Sequence, residues 1–107
     1  MGLVDLSKLR VHILIKLRDG EVKSKTDLKK ELRSVFQLSL QDLQKKDKLG
    51  RKTWDRDMTH QLSWLRIRGL IENEVINGRE IPARIHITKL GQEILKFCDN
   101  YKKIQIS

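Results

Sequence analysis

Cysteine and proline are scarce in this chain, and their scarcity limits what the protein can be. Among 107 residues there is one cysteine, Cys98, and one proline, Pro82. A lone cysteine cannot form a disulfide within the chain, so the fold does not need an oxidising compartment. No apolar run approaches the roughly 20 residues that span a bilayer, and Met1–Asp5 lacks the pattern of a secretory signal. We therefore expect a cytoplasmic protein with no membrane partner.

Catalytic and metal-binding patterns are also missing. The three histidines, His12, His60 and His86, fall in different predicted elements, and no Cys/His pair has zinc-ligand spacing. Asp5 followed at a distance by Glu21-Val22-Lys23 is a weak match to a metal-dependent nuclease pattern. Capping of the first helix explains Asp5 better. The sequence therefore predicts no catalytic residue, no metal site and no cofactor, and hence not an enzyme.

Positive charge is what the chain has in excess. Lysine and arginine number 23 against 14 aspartates and glutamates, which gives a formal net charge of +9. Such a surplus favours an anionic partner, and nucleic acid or a membrane surface are the usual candidates. The length and the apolar fraction of 38% fit one domain with a modest core. We expect a single domain over 1–107, with its core at about 5–98 and a basic and apolar tail at 99–107.

The order of periodic segments predicts a mainly α fold with a small β-hairpin. Apolar residues spaced three and four apart predict helices, and Asn77-Gly78 between two strand-like runs predicts a hairpin turn. Pro82 lacks an N–H donor and belongs at a strand edge or a bulge. A three-helix core, a wing sheet of two or three strands and a C-terminal helix form the winged helix-turn-helix plan. The predicted helices begin near Leu6, Ser24, Ser39, Thr53 and Thr88.

Two further expectations concern capping and packing. We expect Thr53 to be the N-cap of the helix over 53–68, as Ser24, Ser39 and Thr88 are for their helices. In the last helix the apolar positions predicted to face the core are Leu90, Ile94, Leu95 and Cys98.

The helix over 53–68 is the predicted recognition helix. Its apolar face centres near Met58, and its N-terminal part, with Arg56 and Thr59, is expected to contact bases. The basic loop 45–52 ahead of it suits phosphates, and the wing tip could enter a minor groove. A merely solvated helix face is the alternative. The predicted DNA-binding residues are Lys48, Arg51, Lys52, Arg56, Thr59, Ser63, Arg66, Arg79 and Arg84. A second basic set, for which phosphate contact and a solvated face are about equally favoured, is Lys25, Lys29, Lys30 and Arg33.

Four short motifs point to a known family. They are Gly50–Met58, Ser63–Leu65, Gly69–Ile71 and Ile87–Gly91. Together they resemble the N-terminal winged-helix domain of Mrr-type restriction proteins, with departures at His60 and Ile85. The resemblance implies binding of double-stranded target DNA, including modified DNA, next to a separate nuclease domain or subunit. It does not imply cleavage by this chain, which has no room for a nuclease domain.

Two other functions stay open. One is a stand-alone transcriptional regulator that forms a homodimer through its last helix, with Tyr101, Ile104 and Ile106 as candidate interface residues. The other is a winged helix used for protein–protein contact, whose weak DNA binding would not depend on Arg56. Binding measured across a salt series separates them, because phosphate contacts make affinity fall steeply with salt.

Overall fold

The residues described here form five helices and one three-stranded antiparallel sheet. The computed structural model describes the backbone of residues 3–106 and the side chains of residues 3–98. In chain order the elements are α1 (Leu6–Lys16), β1 (Lys23–Ser24), α2 (Lys25–Val35), α3 (Leu40–Gln44), α4 (Thr53–Ile67), β2 (Ile71–Ile76), β3 (Arg79–Ile87) and α5 (Lys89–Ile106). The strand order is β1-β3-β2. This mixed α/β architecture confirms the predicted hairpin and the helix that follows it, and it is compatible with a winged helix.

Polar side chains fix the starts of α2 and α3. Ser24 Oγ accepts a hydrogen bond from the backbone N–H of Asp27 at 3.0 Å, and Ser39 and Asp42 form a reciprocal capping box. Each such bond satisfies a backbone donor that would otherwise lack a partner at the helix start. A cap of this kind contributes about 1 kcal/mol. The predictions for Ser24 and Ser39 are therefore confirmed.

The predicted cap of α4 is wrong by one residue. Lys52 occupies the N-cap position without a side-chain cap bond, and Thr53 is the first helical residue and is buried. A bridge between Lys46 and Lys52 closes the preceding loop, and the Thr53 N–H donates to the Lys45 carbonyl at 2.9 Å. These main-chain contacts hold Thr53 against the core, so its hydroxyl is not the group that starts the helix.

The core lies between α1 and α4, which pack against each other and also against α2 and the sheet. Its buried apolar side chains recur at helical spacing on α1, α2 and α4. Each fully buried side chain of this size contributes about 1.5–3 kcal/mol. The buried hydrophobic residues are Leu9, Ile13, Leu14, Leu17, Leu28, Leu32, Trp54, Met58, Leu62, Leu65, Leu70, Ile71, Ile85, Ile87 and Leu95.

The hairpin of β2 and β3 contains both a tight turn and an irregularity. Asn77 and Gly78 have φ values of 52° and 77°, as a two-residue type I′ turn requires. In the β2–β3 ladder the pairing is interrupted after Asn73, which faces Ile85. Pro82 lies in this interruption, where it removes no hydrogen bond from a regular ladder, and its predicted place is confirmed.

Helix α5 contacts the rest of the domain through Gly91 and through Leu95, one of the predicted core positions, while Cys98 of the predicted face is half-buried. Leu90 and Ile94 are 47% and 41% exposed, contrary to expectation, whereas Leu95 is buried. The cause is the close approach at Gly91, where a Cβ atom would overlap the Leu70 carbonyl oxygen. Because position 91 faces the domain, positions 90 and 94 turn away from it. No described helix has the length and apolarity that crossing a membrane requires.

One side chain joins the end of α4 to the start of α5. The Thr88 hydroxyl donates a hydrogen bond to the Gly69 carbonyl at 2.6 Å and accepts one from the Gly91 N–H at 3.1 Å. The Thr88 N–H also donates to the Leu70 carbonyl at 3.1 Å. The predicted cap at Thr88 is confirmed, and the same residue ties the two helices together.

Candidate nucleic-acid interface

The outer face of α4 presents three of the predicted contact residues together. Thr59 and Arg66 are exposed, and Ser63 between them is half-buried. The intervals of four and three residues place these side chains along one side of the helix. Lys52, immediately before α4, is also exposed. This part of the predicted site therefore has the accessibility that contact with a DNA groove requires.

Helix α2 contributes basic residues to the same surface. One cleft joins Lys29, Lys30 and Arg33 to Lys52, and a second joins Lys25 to Thr59, Ser63 and Arg66. We define the α2–α4 face as Lys52 and the charged residues of α2 and α4 at these two clefts, together with the hydroxyl residues of α4 there. They are Lys25, Lys29, Lys30, Arg33, Lys52, Asp55, Thr59, Ser63 and Arg66.

The predicted DNA-binding residues did not include those of α2, which formed only a second basic set, although the sequence contained the signal. Lys25, Lys29 and Arg33 are spaced by four residues, which is the spacing of one helix face. Sequence alone could not show that this face adjoins the outer side of α4, because that juxtaposition depends on how α1 packs with both helices.

Charge on the α2–α4 face is only partly neutralised. Lys29 Nζ lies 3.0 Å from Asp55 Oδ1 in an exposed ion pair. Lys25 and Arg66 form no ion pair with any described residue. Burial lowers the pKa of Lys25, and the positive charge of Arg66 lowers it further. A bound anion would offset both effects, because it favours the charged form of the lysine.

Arg56, predicted to contact bases, is held in an internal network. Its guanidinium lies 3.4 Å from Asp47 Oδ2 and 3.2 Å from Asp57 Oδ1, and the side chain is 27% exposed. Both carboxylates are nearly buried. Release of Arg56 would leave the nearly buried Asp57 carboxylate without its cation and would leave Asp47 with Arg51 alone, which is costly. Contrary to the prediction, the arrangement does not present Arg56 as a free side chain on the outer face.

The loop 45–52 is organised around Asp47. The Asp47 carboxylate accepts hydrogen bonds from the backbone N–H groups of Leu49 and Arg51, each at 2.9 Å, and from Arg51 Nε at 3.2 Å. Burial opposes ionisation, but these backbone bonds and the Arg51 charge hold the pKa of Asp47 below its ordinary value. Arg51 is thus neutralised within the loop, while Lys48 is exposed.

The two predicted wing residues differ in their availability. Arg84 Nε donates to Glu74 Oε2 at 2.5 Å, and the pair lies across the hairpin. Arg79 is exposed beside the turn and forms no ion pair with a described residue. Arg84 lies opposite Ser24 in the β1–β3 pairing, and therefore close to the start of α2. Of these two predicted residues, Arg79 is the one that presents an unpaired positive charge among the described residues.

The second cleft contains a buried polar group that the fold leaves unused. Asn73 is 8% exposed and lines this cleft. Its Oδ1 atom has no hydrogen-bond partner among the described residues. An unsatisfied buried acceptor costs about 1–3 kcal/mol, so its presence calls for an explanation. Sequence patterns gave no sign of Asn73, which is placed in the cleft by the irregular β2–β3 pairing.

The tryptophans occupy different environments. Trp54 is in the core. Trp64 is half-buried, and its ring is flanked by two guanidinium groups. Arg10 and Arg68 lie 4.4 Å and 3.7 Å from the ring centroid. The ring also packs against the core, so Trp64 combines apolar packing with cation–π contacts.

The described residues include no group of three or more His, Cys, Asp or Glu side chains that could hold a metal ion. Asp5, the acid of the weak nuclease pattern, accepts a hydrogen bond from the Lys8 N–H at 3.1 Å as the N-cap of α1. Lys23 of the same pattern pairs with Glu31 at 2.7 Å. Structural roles therefore account for these two residues.

Comparisons with protein-family models, with curated proteins and with solved structures found no match to this chain. The resemblance to the N-terminal domain of Mrr-type restriction proteins therefore stays a prediction based on its short motifs.

Proposed function

We propose that this chain is a winged-helix module that binds double-stranded DNA through the α2–α4 face. One observation carries the proposal. Five cations that have no ion-pair partner among the described residues lie on one surface, together with two hydroxyl side chains. The cations are Lys25, Lys30, Arg33, Lys52 and Arg66. Phosphates attract such cations, and hydroxyl and guanidinium groups are donors to base edges and to the backbone.

The arrangement of elements supports this function. In a winged helix α1, α2 and α4 are the three core helices, and β2 and β3 form the wing. Docking of this plan places the later helix, α4, in the major groove while the earlier helix, α2, crosses the backbone. Thr59 and Ser63 then face the groove, and the lysines of α2 face phosphates. Arg79 is the wing residue available for a further contact.

A salt titration of DNA affinity tests the proposal. If all five unpaired cations meet phosphates, the log–log slope of affinity against salt is about −4.5, at about −0.9 per contact. Arg66→Ala should reduce the magnitude of the slope by about 0.9. The matched control is Arg18→Ala, which removes the same charge at an exposed position beside α5 and should leave the slope unchanged. A flat salt dependence in the wild type would instead favour a winged helix used for protein contact.

The resemblance supports a more specific role in a restriction system. In that role the chain recognises target DNA, including modified DNA, in the cytoplasm and works beside a nuclease domain or subunit. We expect the isolated chain to shift a DNA fragment in a gel without cutting it when Mg²⁺ is present. The non-enzymatic assignment would be refuted if strand cleavage persisted through purification and was abolished only by mutation of Asp5 and Lys23.

A second candidate, a homodimeric regulator, is favoured by the outer side of α5. Leu90, Ile94 and Phe97 are exposed there at intervals of four and three residues, and Phe97 is 71% exposed. Tyr101 and Ile104 continue this spacing in the sequence, although the side chains predicted for the interface, including Ile106, lie outside the described ones. Apolar residues repeating in this way are typical of helix pairing. The molar mass in solution tests this candidate.

A further inference from the structure

We propose that the cleft between α4, the start of α2 and the sheet binds a single nucleotide, with its base over the apolar floor and its phosphate at Lys25 and Arg66. A nucleotide extruded from bound DNA and a free nucleotide offer the same chemistry to this cleft. Binding of the extruded nucleotide rests on the proposed DNA binding.

The floor of the cleft suits a flat heteroaromatic ring. Leu62, Ile71 and Ile85 form it, and all three belong to the buried core. They come from α4, β2 and β3, so the floor is held by three packed elements. The volume is about 230 Å³, below the roughly 300–1,000 Å³ of clefts for drug-sized ligands. The space therefore fits one base better than a larger cofactor.

Asn73 supplies the polar group that recognises a base. It is more than nine-tenths buried and lines the cleft, and its enclosed Oδ1 atom has no partner among the described residues, so a rotation of the amide would turn this acceptor towards a base. An amide can both donate and accept hydrogen bonds, which matches the edge of a base. Pockets that hold an extruded base combine apolar surfaces with hydrogen bonds to that edge. The hydroxyls of Thr59 and Ser63 add donors beside the amide.

Two cations supply the site for the phosphate. Lys25 and Arg66 line the cleft from different helices, and neither forms an ion pair with a described residue. Burial lowers the pKa of Lys25, and the like charge of Arg66 lowers it further. A phosphate between them would remove both penalties. The cleft thus offers complementary groups for each half of a nucleotide.

The experiment compares two duplexes of one sequence, fully paired or with one unpaired nucleotide, by fluorescence anisotropy. Free dAMP and inorganic phosphate are titrated separately, with the Asn73 side-chain amide followed by NMR. The test variant is Asn73→Leu, which keeps the shape and removes the amide, so thermal stability should be kept or raised. The matched control is Gln92→Leu, which removes an amide from α5 outside the cleft. Lys25→Met provides a second variant at the phosphate end.

The wild type should prefer the duplex with the unpaired nucleotide by about tenfold, the value of one well-placed hydrogen bond. Asn73→Leu should abolish the preference and leave affinity for the paired duplex within about twofold, since phosphate contacts dominate that affinity. Gln92→Leu should keep the preference. Binding of dAMP that needs Asn73 and Lys25, without a preference between duplexes, would support the site and identify a free nucleotide as its occupant.

Three results distinguish failure of the nucleotide site from failure of the proposed DNA binding. If Asn73→Leu keeps the duplex preference and dAMP does not shift the Asn73 amide, the nucleotide site is refuted, while salt-dependent duplex binding still stands. If phosphate alone reproduces every effect of dAMP, the cleft is only an anion site and the inference is wrong. If no duplex binds but dAMP does, the proposed DNA binding fails and the nucleotide site remains.

Discussion

Replacement of Asp55 by asparagine should strengthen DNA binding. Asp55 is the one carboxylate of the α2–α4 face, and its Oδ1 atom lies 3.0 Å from Lys29 Nζ. The change removes a negative charge from the proposed interface and releases Lys29 to contact a phosphate. One additional phosphate contact adds about −0.9 to the log–log slope. If the variant and the wild type bind equally at 1 M salt, the variant then binds about fifteenfold more tightly at 50 mM and about fourfold more tightly at 200 mM.

The stability cost of Asp55→Asn should be small. The ion pair is exposed, with half of the Asp55 side chain accessible, and such pairs contribute about 0–1 kcal/mol. Asp55 also lies in the first turn of α4, where a carboxylate gains about 0.3–1 kcal/mol from the helix dipole. The variant should therefore remain folded at room temperature, which circular dichroism and urea unfolding can verify.

Fluorescence anisotropy on a short labelled duplex, repeated from 50 to 200 mM salt, measures the effect. Glu93→Gln is the control, because it removes an equal charge from an exposed position on α5. It should raise affinity only weakly, through net charge. If the folded Asp55→Asn variant showed the wild-type slope and no greater gain than Glu93→Gln, the α2–α4 face would not be the DNA interface.

Four other outcomes can be measured. Gly91→Ala should lower the free energy of unfolding by about 1–3 kcal/mol in urea titrations, because the added methyl overlaps the Leu70 carbonyl; an unchanged value would contradict the close approach. Arg56→Ala should destabilise the fold without changing relative affinities among DNA sequences, since the guanidinium is held by internal carboxylates. An altered base preference in a selection assay would instead show that Arg56 contacts bases. The lowered pKa of Asp47 stabilises the fold fully above the unfolded value of about 3.9, and this contribution is lost as pH falls through the folded-state pKa; urea unfolding of wild type and Asp47→Asn should therefore converge on acidification. Phe97→Glu should leave a monomer by light scattering if α5 forms a dimer, and an equal mass before and after the change would exclude that interface.

Local signals in the sequence were enough to place most elements. The serines before α2 and α3 and the threonine before α5 each have a side chain that can cap a helix, and the Asn77-Gly78 pair suits only a tight turn. These features act within a few residues, so no knowledge of the rest of the fold was needed. Thr53 shows the limit, because main-chain contacts from the distant end of the same loop decide where α4 begins.

The candidate site was less predictable because side-chain partners come from other elements. Helical periodicity correctly placed Thr59 and Arg66 on an exposed side of α4, but it could not show that Asp47 in the preceding loop captures Arg56. Nor could it show that the start of α2 adjoins Arg66, or that an irregular strand pairing brings Asn73 to the same cleft. Each of these contacts depends on packing between segments that are distant in the chain.

The junction at Thr88 has a consequence for how two copies could read DNA. Because one hydroxyl holds the end of α4 and the first turn of α5 together, the two helices should rotate as one unit. In a dimer formed through α5, the separation of the two α4 helices would then be built into each subunit. Half-sites one helical repeat apart, about 34–36 Å, suit such a rigid frame. Insertion of a few base pairs between them would weaken binding sharply, whereas a flexible connection would tolerate the change.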